Sequence, residues 1–320
     1  MRIGFKLMAE EHGPRELVRQ AVRAERAGFD FVEVSDHFHP WLHDQGHSPF
    51  AWSVLAAIAE RTERIELGTG VTCPSVRYHP AVVAQAAATT ALLAGGRHFL
   101  GVGSGERLNE HVVGAAWPSV DVRQEMLREG LQIIRLLWSG GYRSFRGRHL
   151  SLEDARLFDL PEEPPRLIVA AGGGRAAALA AELGDGLFAN EPRSDLVEAY
   201  TGAGGAGPRY NEVPLAVGRD RDAALKAAHR MLRFAAGGWK TMAELPNPVN
   251  FEAAAGSVTV EQIAGMVSAG PDPGEHLAQA RAFADAGYDH LALMNAGGDP
   301  DEFLDYCAAE LLGPLRAGAG

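Results

Sequence analysis

The stretch Phe31–Trp41, FVEVSDHFHPW, decides how the rest of the chain is read. Phe31-Val32-Glu33-Val34 is a short run with strand character. It ends in Ser35, Asp36 and His37, and a loop with His39, Pro40 and Trp41 follows. A strand that delivers a carboxylate and an imidazole into the following loop is a common way to build a site. An aspartate can fix the position or tautomer of a nearby imidazole, and a histidine exchanges protons near neutral pH. A tryptophan adds a flat apolar wall with one donor. Taken alone, the same residues also suit a plainer account, with Asp36 capping the next turn and His37 a satisfied interior histidine.

Outward from this stretch the chain keeps a regular beat. Arg2–Met8 (RIGFKLM) reads as a first strand, followed by a helix opened by Pro14 and stopped by Gly28. After the Phe31–Val34 strand, a helix starts near Ser48-Pro49, a third strand covers Arg64–Thr69, Pro80 opens a third helix, and Phe99–Gly103 is a fourth strand. A loop then leads to a long helix near Val120–Trp138 and a hairpin over Tyr142–Leu152 around Gly147. The beat resumes with strands at Arg166–Ala171, Gly186–Ala189, Val213–Val217 and Asp289–Met294. Helices are expected at Val260–Met266 and Pro273–Ala286, and a closing helix at Pro300–Leu312, stopped by Gly313-Pro314. Strict strand–helix alternation of this kind predicts an α/β fold, a (β/α)8 TIM barrel in one domain over 1–320. Insertion segments fall near 107–160 and 237–259, the latter rich in Gly, Pro and Asn and a candidate lid. A doubly wound sheet is the rival, but Lys6–Glu11 carries no dinucleotide fingerprint after the first strand.

Composition narrows the class. The chain has 320 residues, 46% apolar and 22% charged, as a globular protein does, and no apolar run long enough for a bilayer. A net charge of −11 disfavours nucleic-acid and anionic-membrane partners. Two cysteines, Cys73 and Cys307, make no disulfide framework, and with a start that lacks a signal-peptide core the expected compartment is the cytoplasm.

A barrel gathers its strand exits on one face. Strand two brings Asp36, His37 and Trp41; strand three Gly70-Val71-Thr72-Cys73; strand four Ser104-Gly105-Glu106 and Asn109; strand five Gly172-Gly173-Gly174 at a helix start. The glycines bare backbone N–H groups where a helix dipole is positive, which suits a phosphate or simply makes a tight turn. Gly70 permits close backbone approach or a bulge. Glu106 is a candidate general acid or a helix cap. Together they suit a phosphate-bearing redox cofactor beside a small-molecule substrate. Two other chemistries fit parts of the pattern: an FMN enzyme on the same barrel, and a metal-dependent hydrolase using His37-x-His39.

SDHFHPW (Ser35–Trp41), LGTGVTCPSVRYHPAVVAQA (Leu67–Ala86), FLGVGSGERLNE (Phe99–Glu110) and AAGGG (Ala170–Gly174), in this order and spacing, resemble the coenzyme F420-dependent branch of the luciferase-like barrel enzymes. The similarity is greatest to the F420-dependent glucose-6-phosphate dehydrogenases and covers almost the whole chain. The resemblance implies hydride transfer between an alcohol or carbonyl substrate and a deazaflavin. His37 would take the hydroxyl proton, Glu106 would protonate the reduced deazaflavin, and Trp41 would pack beside the reacting centre. Asp36, Gly70, Val71, Cys73, Asn109, Gly172, Gly173, Arg175 and Ala176 fall on cofactor-contact positions, Cys73 in place of the family's threonine. Gly70-Val71 falls where these barrels often carry a non-prolyl cis peptide. The resemblance implies substrate-facing positions at Trp41, Asn190, Arg193, Met242 and Met266. Of three basic positions that hold the sugar phosphate in that family, Arg193 keeps its charge and the other two are Met242 and Met266, with Lys240 close by in sequence. A phosphate dianion wants several charge-assisted donors, so glucose 6-phosphate is expected to be a poor substrate and a less charged alcohol a better one. A homodimer is expected by analogy.

Overall fold

The structure, a computed structural model, describes residues 1–318. Its strands are β1 (Arg2–Leu7), β2 (Phe31–Val34), β3 (Glu66–Thr69), β4 (His98–Val102), β5 (Arg143–Arg146), β6 (Ser151–Ala155), β7 (Arg166–Ala170), β8 (Gly186–Ala189), β9 (Arg209–Val217), β10 (Ser268–Gly270) and β11 (His290–Asn295). Strands β11, β1, β2, β3, β4, β7, β8 and β9 pair in turn, all in parallel, and the β9–β11 pairing closes the ring. This is the (β/α)8 barrel expected from the alternation, with helices outside. The helix Pro14–Ala27 illustrates the outer layer: proline at its first turn, Leu17, Ala21 and Ala24 buried, and Gly28 ending it in the left-handed region at φ 94°.

Side chains of period two fill the barrel in layers. Phe31, Phe99, Ile168, Phe188, Tyr210 and Ala292 form one apolar layer. Gly4 and Gly68 make room for it, since a β-carbon would fall 2.3 Å from the Phe31 ring and 2.5 Å from the Phe99 ring. Two residues further along their strands, Lys6, Glu33 and Glu212 form a buried polar layer, with Lys6 paired to both carboxylates.

Several elements differ from the sequence reading. β9 starts at Arg209, four residues earlier than expected, because within RYNE Tyr210 and Glu212 point into the barrel, Tyr210 in the apolar layer and Glu212 on Lys6, while Arg209 pairs with Asp289. β10 and the helix Ser194–Gly202 were not foreseen. β10 is three residues long and continues along the edge of β9 beyond the reach of β8, pairing with Leu215–Val217. The closing helix does not stop at Gly313-Pro314. Pro300–Tyr306 passes through a wider π turn at Cys307–Leu311 into Leu312–Ala317. Pro314 then sits in the first turn of the renewed helix, where its missing N–H leaves no bond unmade. After Glu106 there is not a plain loop but a short helix, Arg107–Glu110.

The two insertions meet above the C-terminal end of the barrel. In the second, the helices Trp239–Met242 and Pro248–Ala255 pack Met242 and Phe251 onto Trp41, Leu42 and Leu108. The Arg107 amide of the first insertion donates to Ala243 O at 3.0 Å, and Arg123 pairs with Glu244 at 3.0 Å.

Candidate active site

At the exits of β1, β2 and β4 three ionisable side chains line up. His37 Nδ1 lies 3.0 Å from Glu10 Oε1, and His37 Nε2 lies 3.5 Å from Glu106 Oε1. The Glu10 contact is close but not aligned as a ring N–H bond. Glu10 is almost fully buried at the turn after β1 and was absent from the sequence reading. The rule that a carboxylate at a barrel-strand exit is a candidate marks Glu10 and Glu11 alike and does not choose between them.

Each group has visible support. Asn109 Nδ2 donates to Glu106 Oε1, while Asn109 Oδ1 accepts from the Phe38 and His39 amides at 2.7 and 3.1 Å. Asn109 thus ties the loop after His37 to the carboxylate it faces. Asp36 does not orient His37. Its carboxylate accepts from Thr72 Oγ1 at 2.7 Å, Arg77 Nη2 at 2.9 Å and the Tyr78 hydroxyl at 3.2 Å, locking the exits of β2 and β3 together. Below Glu106, Glu110 accepts from the Arg77 amide at 2.7 Å, and burial raises its carboxyl to about 8 against the lowering effect of Arg77.

Trp41 closes one wall. Its ring meets His37 edge-on at 4.8 Å, stacks on Phe234 at 4.8 Å and 6° and touches Phe251 at 5.1 Å. Met242 joins this wall. Met266 does not: it is exposed near the helix Pro273–Asp285, where its carbonyl accepts from Gln279.

The floor between His37 and Glu106 is the end of β3. Gly70 and Val71, joined by a cis peptide, are partly open, whereas Thr69 and Thr72 are buried. Val71 seats its methyls against Gly101 and Gly103 of β4 and its exit, where a β-carbon would come within 3.1 and 2.9 Å. Cys73 turns its thiol to Ser75 Oγ at 3.3 Å and against Gly105, and burial raises its pKa.

On the far side the helix Gly174–Leu183 starts at Gly172-Gly173. A helix leaves its first N–H groups without internal partners, and at Gly173 and Gly174 nothing fills the space a β-carbon would take. Trp239 stands 3.4 Å from the β-carbon position of Gly172. Ala176 is buried in the same helix, and Arg175 is exposed and paired with Asp121 at 2.5 Å. Arg193 gives Nε to Asp195 at 2.9 Å and Nη1 to Gly172 O at 3.2 Å, with Nη2 also on Asp195. Asn190 is exposed at the end of β8.

His37 and His39 do not converge: His39 Nδ1 contacts Leu108 O at 3.1 Å. Among the described residues no group of three or more His, Cys, Asp or Glu side chains is placed to hold a metal ion. A charged crevice lined by Arg2, Glu25, Asp30, Arg64 and Arg316 lies at the opposite end of the barrel, where Arg2 pairs with Glu66 and Arg316 with Asp30.

A closed parallel barrel that gathers an imidazole and two carboxylates at its C-terminal mouth has the architecture of a barrel enzyme, whose active site lies on that face. The sequence model of the luciferase-like monooxygenase family matches residues 1–290, and the chain belongs to that family. It is 41% identical over 335 residues to an F420-dependent glucose-6-phosphate dehydrogenase of Intrasporangium calvum, covering 99% of both chains. It is 38% identical over 340 residues to the enzyme of that name from Amycolatopsis mediterranei, again with 99% of each covered. Among solved structures, it superposes with a TM-score of 0.89 on an F420-dependent secondary alcohol dehydrogenase in complex with an F420-acetone adduct, at 31% identity, covering 97% of this chain and 98% of the other.

Proposed function

We propose that this chain is an F420-dependent oxidoreductase acting on an uncharged alcohol, or on the matching carbonyl in reverse, as a homodimer in the cytoplasm. The observation that carries this reading is His37, set between Glu10 and Glu106 and against the Trp41 wall. His37 Nε2 faces the pocket and accepts the substrate hydroxyl proton. Glu10, behind Nδ1, stabilises the imidazolium that results. Glu106 holds a second proton at its carboxylate, oriented by Asn109.

The residues present fit a deazaflavin. An open glycine-rich helix start suits an anionic tail, and a backbone floor with Gly70 and Val71 suits a flat ring. Gly172, Gly173, Arg175 and Ala176 would hold the tail, and Gly70 and Val71 the ring. When bound, F420 supplies a two-electron hydride acceptor at C5.

The substrate class follows from what surrounds His37. Arg193 directs its guanidinium to Asp195 and Gly172 O, so little of its charge is left for a phosphate dianion. Met242 belongs to an apolar wall with Trp41 and Phe251. An apolar alcohol loses nothing on meeting such a wall, whereas a dianion would be desolvated without donors.

The test is fluorescence titration with F420 and, separately, FMN, then turnover of propan-2-ol, neutral sugars and glucose 6-phosphate. Saturable F420 binding is expected, with kcat/KM for a neutral alcohol at least about tenfold above that for glucose 6-phosphate, or about 1.4 kcal/mol. FMN binding alone would move the enzyme to flavin chemistry. Efficient turnover of glucose 6-phosphate would overturn the substrate class.

A further inference from the structure

Beneath the floor of the pocket lies a charged cluster that the proton chemistry does not use. Lys6 is 4% exposed, and its Nζ donates to Gly70 O at 2.7 Å. Glu212 is its counter-ion, and Glu33 Oε1 lies 3.7 Å away on the other side. Glu33 is fully buried, with no hydrogen bond to either carboxylate oxygen. It presses directly on the floor: a β-carbon on Gly70 would fall 3.0 Å from Glu33 Cδ and 3.1 Å from Lys6 Nζ.

Gly70 is therefore held from both sides. Its amide donates to Val34 O of β2 at 3.0 Å, and its carbonyl receives the ammonium. Two residues on, the Thr72 amide donates to Gly101 O at 2.8 Å and its hydroxyl to Asp36 at 2.7 Å. The Gly70 amide, the Thr69 hydroxyl and the polar groups of Thr72 bind neighbouring strands or their exit loops, whereas the Gly70 carbonyl points down to a side chain in the barrel interior. An apolar interior would have served packing better, because a buried ion pair gives little net stability over a hydrophobic isostere. What the ammonium provides, and an apolar side chain cannot, is a charge-assisted donor for one backbone oxygen at the pocket floor. Burial pushes the Glu33 carboxyl well up, and the ammonium makes its close contact with Glu212 instead.

We propose that Lys6 is a positioning residue for hydride transfer, fixing through its bond to Gly70 O the height of the Gly70-Val71 floor between His37 and Glu106, with Glu212 as its counter-ion and Glu33 as a buttress. The proposal rests on the F420 reading above. Its function is to keep a flat ring at one depth beside the imidazole, since small misplacements of reacting groups cost rate steeply.

The test is Lys6→Met combined with Glu212→Gln, which removes donor and counter-charge together so that no lone charge is buried. Gly70→Ala is the second variant; it keeps every charge and crowds the same contact. For each, thermal midpoint, F420 affinity by fluorescence, and kcat and KM for propan-2-ol are compared with the parent. In variants that fold, the expected result is F420 binding weakened about fivefold or more and kcat lowered at least about tenfold, with KM for the alcohol within about threefold. A purely structural role would lower the midpoint and leave those ratios alone. Parent-like F420 affinity and kcat in either folded variant would overturn the proposal. Failure of the parent itself to bind F420 would instead overturn the cofactor reading.

Discussion

Glu10, His37 and Glu106 form the shortest path through the chemistry. Two carboxylates flank one imidazole at 3.0 and 3.5 Å, and they differ in surroundings. Glu10 is buried behind the ring; Glu106 faces the pocket with Asn109 on it. In the proposed mechanism that difference gives Glu10 the imidazolium and Glu106 the second proton. Glu10→Gln keeps the shape and removes the charge. It is expected to lower kcat about 100-fold while KM for the alcohol changes little, because the imidazolium exists only once the proton has moved. Steady-state kinetics at saturating F420 checks this; a change in KM alone would mean that Glu10 only shapes the pocket. His37 and Glu106 were legible in the sequence because each follows a strand with apolar character. Glu10 was not, because in MAEEHG nothing in the sequence distinguishes the inward Glu10 from Glu11, which pairs with Arg230.

The strands carry both the site and its stability, and β4 carries a pH dependence. His98, at its first residue, is buried beside Trp52, and one ring nitrogen lies 3.0 Å from Leu67 O. Burial lowers its pKa to about 4, so the folded state holds it neutral. A depressed pKa contributes stability that is present above the unfolded value near 6.5 and is lost as pH falls through the folded value. From pH 7 to 5 the loss should be about 2 kcal/mol. Urea unfolding of the parent and of His98→Asn at both pH values tests this. The variant is expected to lose about 2 kcal/mol less than the parent over that interval; equal losses would assign the acid sensitivity to other groups. At this scale the sequence misled where polar side chains point into the barrel, as at Tyr210 and Glu212, and where a π turn carried the last helix through Pro314.

For the whole molecule, barrel closure and the two insertions together make the pocket. Closure brings the exits of β1, β2, β3 and β4 side by side, and the insertion residues Met242 and Phe251, with Phe234 just before them, supply the wall on Trp41. Outside, Tyr142 and Phe158 are strongly exposed, and Arg156 lies over both rings at 5.8 and 4.8 Å. In the proposed homodimer, this patch is the surface assigned to the second copy. Sedimentation equilibrium is expected to give twice the chain mass, and Phe158→Glu to shift the protein toward the monomer. A single-chain mass for the parent at micromolar concentration would rule out the dimer.

By itself the sequence determined the alternation of strands and helices, and hence the barrel, because apolar period and the Pro and Gly signals at helix ends are local properties. It also determined that Asp36, His37, Gly70, Glu106 and Gly172 lie at strand exits, because position along a strand is local too. Only the tertiary structure decided which partners those residues have. It gave Asp36 to Thr72 and Arg77, His37 to Glu10, Arg193 to Asp195 and Gly172, and the Gly70 carbonyl to Lys6. It also put Met242 on the Trp41 wall and left Met266 outside. Such pairings join residues up to about two hundred positions apart, and they depend on barrel register and insertion packing, which no local pattern encodes.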